Sequence, residues 1–511
     1  MEHRMKQVFQ EYRDIFKTFF LKNKASLLIL ALVCVLGYGF TITHYSIGVD
    51  NNAHELYYVQ GGAISQGRIT QVLLDILFGA YTYPPFWVNA LSVIVLYFSS
   101  LMWCILFKRV GGENINSTAC TIFSTVLVSY PIINEHFIFL PLDFPLGYGL
   151  TAMALMGCHE AFSKKNLGFG VLASILMVFV ISLNESFAAV FLAGMLMIFM
   201  LEIIFGDNLK NAGQIVKKML SFAAVLLIAV VCEWALLRII QLFYQPEVAV
   251  GAANTRIFWL DTSALVIVKN LFWGLISKYA IIAKTYLPIF VLLLACGIIL
   301  ISTIYWAIKK KRPVLFILLL LMYLSIVSLN IVKGGTLPYR TDSALAVFVG
   351  FSMMLLWITL GNKRLRVIYG ILIIILVINQ TRVLNNWFYN DYKRYERDLE
   401  IEENISNEIE TYHDASKPIL FIGWVENSPD TRTIPGEYNG VQYFNQYSNY
   451  REKANPYSYL LLDFFRIHGH AFTDATEEYY EEGREIAEDM PSYPKPGYIK
   501  EEEEYIIVNF N

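Results

Sequence analysis

Long apolar runs separated by short polar segments fill the first 380 residues of the chain. A helix needs about 20 mostly apolar residues to cross the hydrocarbon core of a bilayer. The pattern therefore predicts an α-helical polytopic membrane protein with about 11 transmembrane helices. The windows that approach or meet this length are 25–43, 86–107, 117–133, 146–162, 168–183, 186–205, 219–240, 285–308, 313–332, 343–360 and 367–379. A further apolar stretch, 264–284, contains three lysines and is more typical of interfacial helices.

The pattern changes after residue 380, where charged and alternating segments replace the long apolar runs. We predict a charged helix from Asp391 to Glu410, an apolar helix from Tyr457 to Ile467, and buried strands over 417–423 and 505–510. These elements predict a C-terminal α/β domain of about 100 residues. The predicted division of the chain is an amphipathic N-terminus (1–24), a transmembrane domain (25–379) and a soluble domain (380–511).

The composition supports a membrane protein and argues against nucleic-acid binding, a disulfide framework in the C-terminal domain and a structural zinc site. Hydrophobic residues make up 56% of the chain and charged residues 16%, against about a quarter in soluble domains. Residues 1–380 carry 28 Lys and Arg against 17 Asp and Glu, whereas residues 381–511 carry 12 against 26. No nucleic acid is expected as a partner of so acidic a domain. All six cysteines precede residue 300 without a CxxC pair, so a disulfide framework in that domain and a structural zinc site are not expected.

Lysine and arginine in the short loops predict the orientation, because cytoplasmic loops carry an excess of these residues. With a cytoplasmic N-terminus, the even-numbered loops are basic, and they contain Lys108–Arg109, Lys164–Lys165, Lys210 with Lys217–Lys218, Lys309–Arg312 and Lys363–Arg366. An odd number of spans then makes the C-terminal domain extracytoplasmic. The basic N-terminus lacks the features of a cleaved signal peptide, so we expect it to remain on the cytoplasmic face.

The polar loop after the first span carries the strongest candidate chemistry. Asp50, His54, Glu55 and Arg68 share this loop, which lies outside the membrane in the predicted topology and between apolar helices. In such surroundings a carboxylate can keep a raised pKa and act as a general base. The alternative is an ordinary solvated loop, since polar residues need no special explanation there.

Further polar residues lie on the same predicted side of the membrane. Glu135 and Asp143 follow the third span, and Glu185 interrupts an apolar stretch, where a tight helical hairpin is the alternative to a functional charge. Between spans nine and ten, a Gly-Gly turn lies between Lys333 and Arg340. Its backbone N–H groups and the two cations are suited to bind a phosphate. The alternative is a plain glycine turn whose cations contact lipid head groups.

Several short motifs resemble the bacterial type II glucosyl transferase family of membrane proteins, which belongs to the GT-C architectural class. The motifs are the Asp50-Asn51 pair after the first span, Gln66-Gly-Arg68 before the next helix, Pro338-Tyr-Arg340 before a late span, and the ending Tyr493-Pro-Lys-Pro-Gly-Tyr-Ile499. The resemblance covers most of the chain.

The resemblance implies a GT-C-like glycosyltransferase of the bacterial plasma (inner) membrane. Such an enzyme moves a hexose, with glucose as the expected sugar, from a polyprenyl-phosphate carrier to an extracytoplasmic cell-envelope glycan such as an O-antigen. Asp50 matches the position of the family's catalytic base, with Asn51, Glu55 and Arg68 as supporting residues. The family commonly has two adjacent acids where this chain has Asp50-Asn51. This difference weakens the case for a bridging metal, so we assign no metal ligand and leave the need for a divalent cation open.

A lipid phosphate that leaves during transfer is stabilised by cations. We therefore predict Lys333 and Arg340 as the donor phosphate-binding residues, and Glu135 and Asp143 as candidates for binding the acceptor. The alternative function is a multi-pass transporter or flippase of lipid-linked sugar. Such transporters usually contain internal repeats, and the two halves of residues 1–380 show no repeat.

Overall fold

The computed structural model of the chain is mostly helical. It describes residues 2–44, 46–47, 64, 67–78, 85–139, 142–206, 212–243, 257–260, 262–278, 289–425, 443–446, 458–476 and 478–511. The prediction of an α-helical protein is confirmed.

A helix lies in each of the eleven windows that the apolar pattern predicts. In chain order the helices through residue 412 are α1 (Glu2–Lys22), α2 (Lys24–Thr43), α3 (Ile69–Phe78), α4 (Pro85–Gly111), α5 (Ser117–Ser129), α6 (Ile132–Phe139), α7 (Asp143–Ser163), α8 (Leu167–Ile181), α9 (Phe187–Phe205), α10 (Ala212–Phe243), α11 (Ala264–Ile276), α12 (Ile289–Lys310), α13 (Val314–Ile326), α14 (Ser328–Lys333), α15 (Ala344–Thr359) and α16 (Lys363–Tyr412). Among the described residues, six helices are long and apolar enough to cross a bilayer, namely α2, α4, α9, α10, α12 and α16. The total of eleven spans stays a prediction.

Residue contacts divide the chain into two units, and the larger one contains the helices up to Asn385. Helices α9 and α15 form its centre, and every residue of 344–355 is buried. A Cβ atom at Gly194 would lie 2.6 Å from the Trp103 ring, so only glycine allows α9 to pack this closely. Helices α2 and α10 instead keep large apolar side chains such as Leu32 and Leu227 exposed. Apolar surface of this kind is expected to face lipid.

The smaller unit contains Asn386–Asn511 and is built around a three-stranded sheet. Strand β1 (Ile419–Ile422) pairs in parallel with β3 (Ile506–Asn509), and β2 (Ile499–Glu501) pairs with the other edge of β3 in the antiparallel direction. Every residue of the two parallel strands is buried. The helices of this unit beyond α16 are α17 (Tyr443–Gln446), α18 (Ser458–Ile467) and α19 (Tyr479–Glu488). The predicted apolar helix and both predicted strands are confirmed.

A single helix, α16, runs from Lys363 to Tyr412 and is about 75 Å long at 1.5 Å per residue. It joins two elements that the sequence pattern predicts as separate, namely the last predicted span and the charged helix from Asp391. Residues 371–416 contain no glycine or proline. Nothing in this stretch therefore interrupts the helical hydrogen bonds.

Asp463 on α18 is a buried carboxyl group that forms an ion pair with Arg466. Its side chain is 1% exposed, and its Oδ1 accepts a hydrogen bond from Arg466 Nη1 at 2.8 Å. Burial raises the pKa of Asp463 from 3.8 to about 6, and the Arg466 charge opposes this rise only in part. The pKa of Asp463 is higher in the folded protein than in the unfolded chain, so ionisation of this carboxyl group lowers the free energy of unfolding. The loss grows as the pH rises from about 4 to about 6.

We expect Asp463→Asn to stabilise the smaller unit at pH 7.5, because the neutral amide avoids the cost of burying a carboxylate. The amide oxygen can still accept the hydrogen bond from Arg466. The melting temperature should rise by about 3–5 °C at pH 7.5 and by close to zero at pH 4. Thermal unfolding of the purified protein, followed by circular dichroism at both pH values, measures the difference. Asp489→Asn, at an exposed helix end, is the control. A lower melting temperature of the Asp463 variant at pH 7.5 would contradict the prediction.

Candidate functional site

A polar turn between α8 and α9, residues 182–186, organises one end of the larger unit. Asn184 Oδ1 accepts a hydrogen bond from the Ser186 N–H at 3.0 Å, and the Phe187 N–H donates to the Asn184 carbonyl oxygen at 3.2 Å. An asparagine side chain can replace a backbone acceptor in this way, which closes a tight turn. The tight helical hairpin that the sequence suggests for this segment is confirmed.

The 182–186 turn contacts the start of α3, which follows the first external loop. The hydroxyl groups of Ser182 and Thr70 are hydrogen-bonded and buried. Arg68 lies two residues before Thr70, directly after Gly67, whose φ of +80° favours glycine. Arg68 Nε is buried and has no hydrogen-bond partner among the residues that the structure describes. The turn therefore brings Arg68 to this end of the bundle.

The same turn contacts the segment between α14 and α15. Glu185 Oε1 lies 3.9 Å from Lys333 Nζ, and both side chains are partly exposed. Ser186 Oγ lies 2.8 Å from Ser343 Oγ, a hydrogen bond within the buried part of the unit. Arg340 is part of the 3-10 turn that precedes Ser343. The structure thus brings Arg68, which is distant in sequence, to the same end of the bundle as Lys333 and Arg340.

His136 on α6 fixes the backbone of the loop that carries Arg340. Its Nε2–H donates to the Arg340 carbonyl oxygen at 2.9 Å, and its ring stacks on Phe144 with centroids 3.7 Å apart. Burial lowers the pKa of His136, which lies outside the predicted spans, to about 3, so the ring is neutral. Tyr148 OH donates to the Ser343 carbonyl oxygen at 2.8 Å. These bonds hold the loop through its backbone carbonyl groups.

A buried ion pair lies two residues beyond Arg340. Lys278 Nζ is 2.5 Å from Asp342 Oδ2, and the two side chains are 5% and 1% exposed. Asp342 Oδ1 accepts a hydrogen bond from Asn330 Nδ2 at 3.2 Å, and Lys278 Nζ donates to the Leu337 carbonyl oxygen at 2.6 Å. Asn330 Oδ1 accepts from the Leu337 N–H at 2.8 Å and completes the network. Buried charges persist only with such partners, because an uncompensated charge away from water is costly.

The Gly-Gly turn after Lys333 has a structural role. Lys333 ends α14, and Gly334 adopts the left-handed region with a φ of +75°. The N–H groups of Gly334 and Gly335 both donate to the Asn330 carbonyl oxygen, at 2.9 and 3.2 Å. They close the end of α14 as glycine commonly does. The expectation that these two N–H groups bind a phosphate is therefore wrong, whereas the Lys333 and Arg340 side chains stay candidates.

The remaining predicted site residues fall into two groups. Glu135 on α6 and Asp143 at the start of α7 are buried, at 1% and 4% exposure, and α6 packs against the 3-10 turn of residues 339–341. Asp50, Asn51 and Glu55 lie outside the described residues. Within the described ranges, no three His, Cys, Asp or Glu side chains converge on a metal position.

Sequence reasoning missed the residues that hold the loop together. Lys278, Asn330 and Asp342 are absent from the predicted site, although Asp342 lies close to Arg340 in the sequence and opens the next apolar helix. An acidic residue next to an apolar helix indicates a nearby cation, because a carboxylate away from water needs a partner of opposite charge. The partner is Lys278, which the sequence assigns to an interfacial segment and which only the tertiary structure pairs with Asp342.

We expect substitution of one member of the Lys278–Asp342 pair to destabilise the larger unit strongly. Lys278→Met leaves the buried Asp342 carboxylate without its cation, which typically costs about 3–5 kcal/mol. The double variant Lys278→Met/Asp342→Asn should recover most of this loss, because neither charge remains. Thermal unfolding of the detergent-purified proteins measures the coupling, with Lys269→Met on the exposed face of α11 as the matched control. Additive effects of the two substitutions would argue against the pair.

Comparison with known proteins identifies the family of the chain. A family model described as Glucosyl transferase GtrII matches residues 16–357, which is more than half of the 511 residues. The matched region includes the 182–186 turn and the loop that carries Arg340. No curated protein and no solved structure gives a significant match. The predicted resemblance is thereby confirmed, and the chain belongs to the Glucosyl transferase GtrII family.

Proposed function

We propose that the protein transfers a hexose, with glucose as the expected sugar, from a polyprenyl-phosphate carrier to an extracytoplasmic cell-envelope glycan. The observation that carries this proposal is the match of residues 16–357 to a glucosyl transferase family, which supports a glycosyltransferase. Six helices long and apolar enough to cross a bilayer support a membrane-bound enzyme. A lipid-linked donor suits such an enzyme, because its hydrocarbon tail can stay in the bilayer while its sugar reaches the polar end of the bundle.

We place the protein in the bacterial plasma membrane as a GT-C-like multi-pass enzyme with a cytoplasmic N-terminus. The lysine and arginine residues of the even-numbered loops support this orientation. In this orientation the 182–186 turn, Lys333 and Arg340 face the extracytoplasmic side, where the acceptor glycan is found. The soluble residues 380–511 then lie on the same side as the acceptor.

In the proposed reaction, an acceptor hydroxyl attacks the anomeric carbon of the donor sugar. A new C–O bond forms while the bond from the anomeric carbon to the phosphate oxygen breaks, and polyprenyl phosphate leaves with the electron pair. Asp50 accepts the hydroxyl proton as general base, supported by Asn51 and Glu55 in the same loop. Glu135 and Asp143 are proposed to bind acceptor hydroxyls. Because both are buried, the acceptor has to enter the polar end of the bundle to reach them.

We assign the leaving phosphate to Arg340 and Lys333, with Arg68 as a further donor. The contacts of the 182–186 turn support this assignment, because they bring the three cations to one end of the bundle. His136 holds the Arg340 backbone in place, and donors fixed in advance stabilise developing charge without reorganisation. The guanidinium group of an arginine can also donate two parallel hydrogen bonds to the oxygens of a phosphate.

We expect Asp50→Asn and Asp50→Ala to lower hexose transfer by about 100-fold or more, because the general base is lost. Purified protein is given a radiolabelled polyprenyl-phosphate hexose and cell-envelope glycan, and transfer of the label is followed. Asn52→Ala, two positions away and without an ionisable group, is the matched control. Full transfer by both Asp50 variants would remove Asp50 from the mechanism. Movement of the labelled lipid across vesicles without transfer would favour the transporter or flippase.

We expect Arg340→Gln to lower kcat/KM for the lipid donor on the order of 100-fold, because a donor to the leaving phosphate is lost. Lys333→Gln should have a smaller effect, since its ammonium is also near Glu185. Initial rates over a range of donor concentrations give the values. Arg238→Gln is the control, because Arg238 lies exposed on α10, where it donates a hydrogen bond to Gln241 and lies over the Trp234 ring of the same helix. An unchanged kcat/KM in Arg340→Gln would overturn the assignment.

A further inference from the structure

An apolar groove runs between α8 and α10 on the surface of the larger unit. Its volume is about 1100 Å³, and exposed side chains such as Val171, Phe179 and Ile228 line it. Lys165 and Lys217 line the groove at the end where α8 begins. The groove is therefore mostly apolar along its length and basic at one end. This combination matches a molecule with a hydrocarbon chain and an anionic head group.

The basic end of the groove combines paired and unpaired cations. Three neighbouring cations are paired with carboxylates of the protein, in the pairs Lys164–Glu11, Arg109–Glu160 and Lys218–Glu202. Lys165 and Lys217 are exposed and form no ion pair with any residue of the described ranges. Two positive charges at the mouth of the groove are thus available to an anion from outside the protein.

Asn166 gives a second and independent indication of a ligand at the same end. The residue is 6% exposed, and its Oδ1 accepts a hydrogen bond from the Gly168 N–H at 3.0 Å, which caps α8. Its Nδ2 is buried and has no hydrogen-bond partner among the described residues. A buried donor without an acceptor is unfavourable. An acceptor oxygen of a molecule in the groove would satisfy it, because Asn166 lines the groove.

We propose that this groove binds an anionic phospholipid of the membrane. The phosphate lies between Lys165 and Lys217 and accepts a hydrogen bond from Asn166 Nδ2, and one acyl chain lies along α8 and α10. Charge-assisted bonds to two ammonium groups favour an anionic head group over a neutral one. Helix α8 has 15 residues and is about 22 Å long. This length exceeds half of the roughly 30 Å hydrocarbon core, so the groove is long enough for an acyl chain of a lipid in one leaflet.

This lipid site is separate from the site of the proposed reaction. Helix α8 begins beside the basic end of the groove and ends at Ile181, directly before the 182–186 turn. The two sites therefore lie at opposite ends of one helix. The inference does not depend on sugar transfer. With the proposed orientation, the basic end of the groove lies at the cytoplasmic face, so the lipid would belong to the cytoplasmic leaflet.

Native mass spectrometry of the full-length protein in detergent tests the head-group contact. Phosphatidylglycerol and phosphatidylethanolamine with identical acyl chains are titrated separately, and the bound fractions are compared. We expect the wild type to bind phosphatidylglycerol at least about 10-fold more tightly, and Lys165→Gln/Lys217→Gln to lose this preference. Lys310→Gln, an exposed lysine at the end of α12, is the control and should keep it. Equal binding of both lipids by the wild type would overturn the proposal.

A second pair of variants tests the groove itself. Ala224 on α10 is exposed and lines the groove, whereas its neighbour Ala223 is exposed and lies outside the lining. Ala224→Trp should fill the groove and lower retention of both lipids, while Ala223→Trp should leave it unchanged. Equal losses in the two variants would overturn the groove as the site. Displacement of phosphatidylglycerol by equimolar polyprenyl phosphate would also overturn the proposal, since the groove would then belong to the prenyl carrier.

Discussion

The exclusion of water from the helical bundle is the constraint on which the rest of the structure depends. In apolar surroundings every backbone N–H and C=O group needs a partner inside the protein. Within a helix the backbone N–H and C=O groups bond one another, and at the helix ends polar side chains provide the missing partners. Asn184 closes the turn between α8 and α9, and Asn330 accepts from Leu337 beyond the end of α14. The chain can therefore place polar chemistry at helix ends without unfolding the bundle.

The same hydrogen bonds position the cations of the candidate site. His136 donates a hydrogen bond to the Arg340 carbonyl oxygen in the 3-10 turn, and Ser186 bonds Ser343 just beyond it, so the loop between α14 and α15 is held at two points. The Lys278–Asp342 pair adds a charge interaction away from water. A cation on a loop held in this way is suited to stabilise charge as it develops, because no loop movement is needed.

Helix α8 separates two chemically different ends of the larger unit. One end has the 182–186 turn, where Lys333 lies near the partly exposed Glu185 and the hydroxyl groups of Ser186 and Ser343 are hydrogen-bonded. The other end has the basic mouth of the groove, where carboxylates pair with some lysines and leave Lys165 and Lys217 exposed. In the proposed function the two ends bind different anionic groups, the leaving phosphate at the 182–186 turn and a phospholipid head group at the mouth of the groove.

The sequence by itself determined the helical class, the positions of the helices in the eleven apolar windows, the two buried strands 419–422 and 506–509, and the family. These features follow from local periodicity and composition, which need no knowledge of distant contacts. Only the tertiary structure decided that Arg68 lies at the same end as Lys333 and Arg340, because the start of α3 and the segment between α14 and α15 both contact the 182–186 turn. It also decided that Lys278 pairs with Asp342 and that the Gly334 and Gly335 N–H groups close a helix. Such partners depend on how helices pack, and packing is set by side-chain shape and the burial of charge rather than by spacing along the chain.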